Sequence, residues 1–202
     1  MKIKDLFELT GADSYRRVVS IEKSHSGKDT KETKVLGKGS QGIAVERTKK
    51  TNMVTKVFGI NSEYDGFLSF VRLAQRRRNI HFPRFENLRI YDKPFISSDV
   101  TFKKTAAVDM EKLVPLDNEK VKDAVEAKLK SYGVLLKDDK LGRGFSLDRI
   151  NADAIKDAHF KHAVQLVREL SNFTDMGSRN IMVRVTSTGP QIVLMDPIYN
   201  PL

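Results

Sequence analysis

Three glycines, Gly37, Gly39 and Gly42, inside the stretch VLGKGSQGIAV at residues 35 to 45, constrain the fold of this chain more than any other feature. Their spacing is G-x-G-x-x-G, in which residues lacking a Cβ let the backbone approach a neighbouring group closely, a phosphate included. The same pattern also suits a plain surface turn. Its flanks narrow the choice. Residues 34 to 59 read KVLGKGSQGIAVERTKKTNMVTKVFG, with apolar residues in short β-branched bursts at Val35–Leu36, Ile43–Val45, Met53–Val54 and Val57–Phe58. Bursts of this kind, separated by glycines and by the polar TKKTN, read as strand, glycine loop, strand, turn, strand.

That order separates the folds that share the glycine pattern. A dinucleotide-binding site needs a helix that begins at the glycines, so that its N-terminal amides meet the pyrophosphate; here a strand follows. A Walker A loop ends in Gly-Lys-Ser/Thr, which GKGSQGIA lacks. A protein-kinase glycine loop is a hairpin over the phosphates, followed by a strand that carries a lysine. Lys56, in MVTKVF, occupies that place.

At 202 residues, 40% hydrophobic and 31% charged, the chain has the length and composition of one sizeable domain or two small lobes. With no cysteine, disulfides, thiolate catalysis and Cys-based metal sites are excluded. His159 and His162 sit three apart on a predicted helix without a third clustered ligand, so they are read as surface or core residues. The formal charge of +10 favours polyanionic partners, nucleic acid among them. The basic clusters TKKTN, QRRRN and FKK are scattered and lack interleaved aromatics, so no specific nucleic-acid face is assigned. No apolar run reaches the ~18 residues of a membrane helix, and the N-terminus has acidic residues where a signal peptide is apolar. The expectation is a cytoplasmic protein without a membrane partner.

Along the chain, residues 1–33 read as a short amphipathic helix and a polar, flexible arm, 34–116 as a β-rich lobe, and 117–202 as a smaller, mainly helical lobe. Within the first lobe, NSEYDGFLSFVRLAQRRR spaces Tyr64, Phe67, Leu68, Val71 and Ala74 as one helical face, with Ser62 as its expected cap. In the second, one helix is expected to bury Val121, Ala124, Val125, Leu129 and Tyr132, and another Ile155, Ala158, Ala163, Val167 and Leu170. The end, NIMVRVTSTGPQIVLMDP, reads as a hairpin with a Thr-Gly-Pro turn.

Just before and after that hairpin lie FTDMGSRNIMVR and IVLMDP. They place Asp175 and Asn180 as D-x-x-x-x-N, and Asp196 at the end of the second hairpin strand. Phosphoryl transfer requires a carboxylate beside the attacking hydroxyl and oxygen ligands for Mg²⁺, and one short loop can deliver both. The arrangement resembles the catalytic loop and metal-binding Asp of protein kinases, and that resemblance implies Asp175 as the base or hydroxyl-orienting group and Asn180 and Asp196 as the metal ligands. Lys56 pairs the α/β-phosphates of ATP, and the amides of Gly37, Lys38, Gly39, Ser40 and Gly42 cover the triphosphate. The carboxylate that orients Lys56 is assigned to Glu63, with Asp65 as the other candidate.

DMGSRNIM and LMDP resemble the catalytic and metal-binding motifs of serine/threonine kinases of tailed bacteriophages, and AAVDMEKLVPL resembles the hinge strand of such proteins. The resemblance spans about residues 33 to 200. It implies an α+β, protein-kinase-like, two-lobed fold with a truncated C-lobe, and adenine bound by backbone groups of Glu111 and Leu113. It further implies ATP- and Mg²⁺-dependent transfer to Ser/Thr hydroxyls of proteins, host proteins and the chain itself included, in a host cytoplasm. The match has departures. Phe173-Thr174 stands where His-Arg is usual, Asp196-Pro197-Ile198 replaces Asp-Phe-Gly, and only six residues follow Asp196, so the usual peptide platform is expected to be missing. The alternative expectation is a kinase-like binding protein, catalytically weak or inactive, that modulates a host protein or nucleic-acid machine.

Overall fold

The computed structural model describes residues 35–38, 42–46, 52–62, 65–97, 100–116, 118–134 and 145–198. The N-terminal arm, Gly39, Ser40, Glu63 and Tyr64 lie outside the described residues. The content is mixed α+β with antiparallel sheets. The chain divides into two compact units: described residues up to Ser62 with Phe85–Lys112, and Asp65–Arg84 with those from Leu113 onward. A continuous β-rich lobe over 34–116 would have held the segment 64–84, which instead clusters with the second unit.

The first unit is built on a five-stranded antiparallel sheet of order β1-β2-β3-β7-β4. Its strands are β1 (Val35–Lys38), β2 (Gly42–Glu46), β3 (Met53–Ile60), β4 (Phe85–Tyr91) and β7 (Lys104–Glu111). A short hairpin of β5 (Phe95–Ser97) and β6 (Val100–Phe102) precedes β7. The three strands of the strand, glycine loop, strand, turn, strand reading are therefore present, while residues 39–41 and 47–51 between them lie outside the described residues. Because side chains alternate across a strand, each sheet face is fixed by the register. Ile43, Val45, Val57 and Ala107 share one face and form a core with Phe95 and Phe102 of the hairpin. Gly59 exists for this packing: a Cβ there would lie 2.2 Å from the Phe102 ring.

One charged group is buried among the described residues of that unit. Asp109, at 1% side-chain exposure, accepts from Thr55 Oγ1 (2.8 Å), Asn87 Nδ2 (3.0 Å) and both terminal nitrogens of Arg89 (3.3 and 3.2 Å). A bulge in β4 makes this possible, since the register shifts between Glu86 and Arg89 while Asn87 takes a left-handed φ of 50°. Burial pushes the Asp109 carboxyl up, but the bonds from Arg89, Asn87 and Thr55 together with the Arg89 charge outweigh it and hold it below the usual value.

In the second unit a three-stranded antiparallel sheet of order β10-β9-β8 is formed by β8 (Val114–Pro115), β9 (Ile181–Thr186) and β10 (Gly189–Leu194). The hairpin turn is Ser187–Thr188, and Gly189 and Pro190 begin β10, with Gly189 at φ 111°. Three α-helices are described: α1 (Gly66–Arg77), α2 (Lys122–Ser131) and α3 (Ala158–Leu170). Helix α1 starts after Asp65 rather than Ser62, and buries Phe67, Leu68, Phe70, Val71, Leu73 and Ala74. In α2, Val125 and Leu129 are buried while Ala124 is exposed. Helix α3 begins only after Asp157, whose carboxylate caps the Phe160 amide at 2.8 Å. That later start replaces the expected Ala158 by Phe160 on the buried face, beside Ala163, Val164 and Val167.

The segment after α1 is held by this unit. Arg184 on β9 donates to the carbonyls of Ile80 (2.6 Å) and Phe82 (3.0 Å) and to Gln191. His81 is fully buried between Tyr132 and Phe160, with Nδ1 2.7 Å from the Ile192 carbonyl and Nε2 3.7 Å from an Asp157 oxygen. A carbonyl only accepts, so Nδ1 carries the proton.

Candidate functional site

Asp175, Asn180 and Asp196 all belong to the second unit, and backbone bonds bring their segments together. The loop leaves α3 at Ser171, whose hydroxyl accepts from the Phe173 amide at 3.0 Å. Thr174 then bridges Ile198, and the Asp175 amide donates to the Pro197 carbonyl (2.9 Å). Residues Ser178–Asn180 form one tight helical turn, and Asn180 passes its carbonyl to the Met195 amide (2.8 Å). The loop is thereby tied at both ends to the chain around Asp196, which lies two residues past β10 rather than within it. The Asp175 side chain is exposed, whereas Asn180 and Asp196 are half-buried.

Two local features orient the side chains. Asn180 Nδ2 donates to the Asp175 carbonyl at 3.0 Å, which turns the amide oxygen to the other side of the group. Gly177 is the second, because a Cβ built there would stand 3.3 Å from Asp175 Oδ1. An amide oxygen and a carboxylate are the hard donors that Mg²⁺ takes, in sites completed by phosphate oxygens. Among the described residues no group of three or more His, Cys, Asp or Glu could hold a metal ion. Asn180 and Asp196 supply one donor of each kind.

The rest of the loop's support was not legible in the sequence. Asp148 accepts from the Thr174 hydroxyl (2.6 Å), the Met176 amide (3.0 and 3.2 Å) and the Ser146 hydroxyl (2.7 Å). Met176 is fully buried, its carbonyl accepting from the Leu147 amide at 3.0 Å. From α3, Arg168 donates to the carbonyls of Leu147, Asp148 and Ile150 at 3.1, 3.3 and 2.6 Å. Ser-x-Asp at 146–148 was the only sequence signal for this turn, and it reads as an ordinary turn motif.

The other candidates lie elsewhere. Gly37 and Lys38 are on β1, Gly42 on β2, Lys56 half-buried on β3 and Glu111 at the end of β7, all in the first unit. Lys56 pairs in register with Ala44 and Val108, on the sheet face opposite Thr55 and Asp109. Leu113, half-buried, falls in the second unit. Asp65 directly precedes α1, its carbonyl accepting from the Ser69 amide at 2.8 Å. His159 and His162 are exposed on α3. Among the described residues no helix is long and apolar enough to cross a membrane. No protein-family model matches the chain, and no curated protein matches it either.

Proposed function

We propose that the chain is a protein-kinase-like phosphotransferase that moves the γ-phosphate of Mg-ATP to Ser/Thr hydroxyls of proteins, itself included. The observation that carries this reading is the tethering of Asp175 to Asn180 and to the Asp196 segment by bonds of 3.0 and 2.9 Å, with the acid exposed and the two oxygen donors half-buried. An edge hairpin of glycine strands beside a third, lysine-bearing strand supports it as well. On this reading the two-lobed, truncated kinase-like architecture applies. Lys56 neutralises the α/β-phosphates, residues 37–42 cover the triphosphate, and Glu111 and Leu113 offer backbone groups to adenine.

Chemically, Asp175 accepts or orients the proton of the attacking hydroxyl while that oxygen bonds to the γ-phosphorus. The bond from phosphorus to the β-phosphate oxygen breaks, ADP leaves, and the proton passes from the carboxylate to solvent. Asn180 and Asp196 would hold Mg²⁺, which supplies charge neutralisation of the transferring phosphoryl group. Protein hydroxyls are the proposed acceptors, host proteins among them, and the +10 charge favours acidic ones.

The test is γ-phosphate transfer to self and to host lysate by the native chain, Asp175→Ala and Asp196→Ala. Loss of a general base costs about 10²- to 10⁴-fold, the fall expected of Asp175→Ala, while Asp196→Ala is expected to lose transfer by removing a metal ligand. Equal labelling by all three would sink the catalytic assignment. ATP-induced thermal stabilisation that vanishes in Asp196→Ala, with no transfer by the native chain, would replace it with the nucleotide-binding, non-catalytic reading.

A further inference from the structure

We infer that Asp148 is a positioning residue: its carboxylate fixes the backbone on both sides of Asp175 and so sets the rate of phosphoryl transfer. The inference rests on the proposed role of Asp175. Its grounds are geometric. Thr174 and Met176 flank Asp175, and both donate to the Asp148 carboxylate, from a hydroxyl at 2.6 Å and an amide at 3.0 and 3.2 Å. Ser146 donates a third bond at 2.7 Å. Three donors converge on one group, and only an ionised carboxylate accepts on both oxygens without offering a proton. An amide in its place turns an NH₂ toward a donor.

The turn that carries Asp148 is itself anchored. Arg168 bridges three of its carbonyls from α3, and the Met176 carbonyl returns a bond to the Leu147 amide. A chain of contacts therefore runs from the helix through Arg168, the 147–150 turn and Asp148 to the two neighbours of Asp175. A capping role does not account for it, since Ser146 caps this three-residue turn by accepting from the Asp148 amide at 3.1 Å. Catalytic groups need placement to within about 0.5 Å, and a 1 Å error costs on the order of 10²-fold.

The experiment is a double-mutant cycle on the intact chain, with γ-labelled Mg-ATP and a mixture of Ser/Thr peptides as the probe. Asp148→Asn is expected to lower transfer about 10- to 100-fold while the thermal stabilisation by Mg-ATP is retained. In an Asp175→Ala background the same change is expected to cost nothing further, because its effect passes through Asp175. Thr174→Val, which removes one bond and keeps the carboxylate, should give a smaller loss with the same dependence on Asp175. An equal fold-loss in both backgrounds, or none in either, overturns the inference.

Amide hydrogen exchange reads the tether without catalysis. Met176 is expected to exchange at least about tenfold faster in Asp148→Asn, with the Val183 amide on β9 unchanged. An unchanged Met176 rate overturns the positioning role whatever the activity. Equal transfer by the native chain and Asp175→Ala would instead overturn the phosphoryl-transfer reading, and the rate claim with it.

Discussion

The buried Asp109 and its partner Arg89 are unequally exposed, at 1% and 27% of their side chains, and this predicts unequal costs for removing them. Arg89→Met keeps an apolar stem but removes both guanidinium donors from the carboxylate in the sheet core, where Thr55 and Asn87 still donate. Breaking a buried pair from that side costs about 3–5 kcal/mol. Asp109→Asn removes the charge at the buried end. Arg89, already partly in water, can turn outward, and the loss is that of imperfectly satisfied buried bonds, about 1–3 kcal/mol. The arginine variant is therefore the less stable of the two, although it alters the more exposed residue.

The pH dependence carries the same signature. In the native chain the Asp109 carboxyl is held below its ordinary value, so it contributes stability above that value, which is lost as pH falls through the folded one. In Arg89→Met, burial persists while the largest opposing bonds are gone, so the carboxyl rises and protonation relieves the strain. The gap between native and Arg89→Met should then narrow as pH falls from about 7 toward 4, near the carboxylate reference value. The chain has no tryptophan, so urea unfolding followed by far-UV circular dichroism is the assay. An Asp109→Asn cost equal to or above that of Arg89→Met, or a gap constant with pH, would refute the reasoning.

Two further outcomes follow from single positions. His81 is held below its ordinary value of 6.5, chiefly by burial, with His159 and Arg184 adding to that and the Ile192 carbonyl and Asp157 opposing it. Below 6.5 the unfolded chain binds more protons than the folded one, so stability should fall as pH drops from 6.5 through the lowered folded value, and this part of the fall should vanish in His81→Gln; an identical pH slope in the variant contradicts it. Gly42→Ala places a Cβ 2.6 Å from the Val57 carbonyl oxygen, a backbone atom that cannot swing away. A loss of about 1–3 kcal/mol is expected without any nucleotide, and an unchanged melting temperature would show that the sheet accommodates it.

The strands and the final hairpin were legible because β-branched bursts and turn residues are local signals. Helix starts were less so. Ser62 precedes a periodic run, yet α1 starts after Asp65, and α3 starts only after Asp157. The shifted origin of α3 put Ala158 on the buried stripe and hid Phe160. The segment after α1 that clusters with the second unit is anchored from afar, since Arg184 lies 104 positions from Ile80 and 102 from Phe82. The same holds for Asp148, whose partners in the loop are 26 and 28 positions away, and for Asp109, 54 from Thr55. A polar residue's burial is decided by such distant partners, and no periodicity in one chain encodes them.

This changes the weight carried by the glycine motif. Gly42 pairs with Phe58, and a side chain there would strike the Val57 carbonyl, so the sheet alone accounts for that glycine. Its presence argues for a close-packed strand before it argues for a phosphate. The D-x-x-x-x-N segment has no comparable packing explanation: Asp175 is exposed, and the bonds around it hold its backbone and leave its carboxylate at the surface. A loop fixed by a half-buried carboxylate, an arginine from α3 and its own asparagine is stiffer than a surface turn requires. Such stiffness spent on an exposed acid is the strongest physical reason to look for chemistry at Asp175 and to treat the glycine pattern as secondary support.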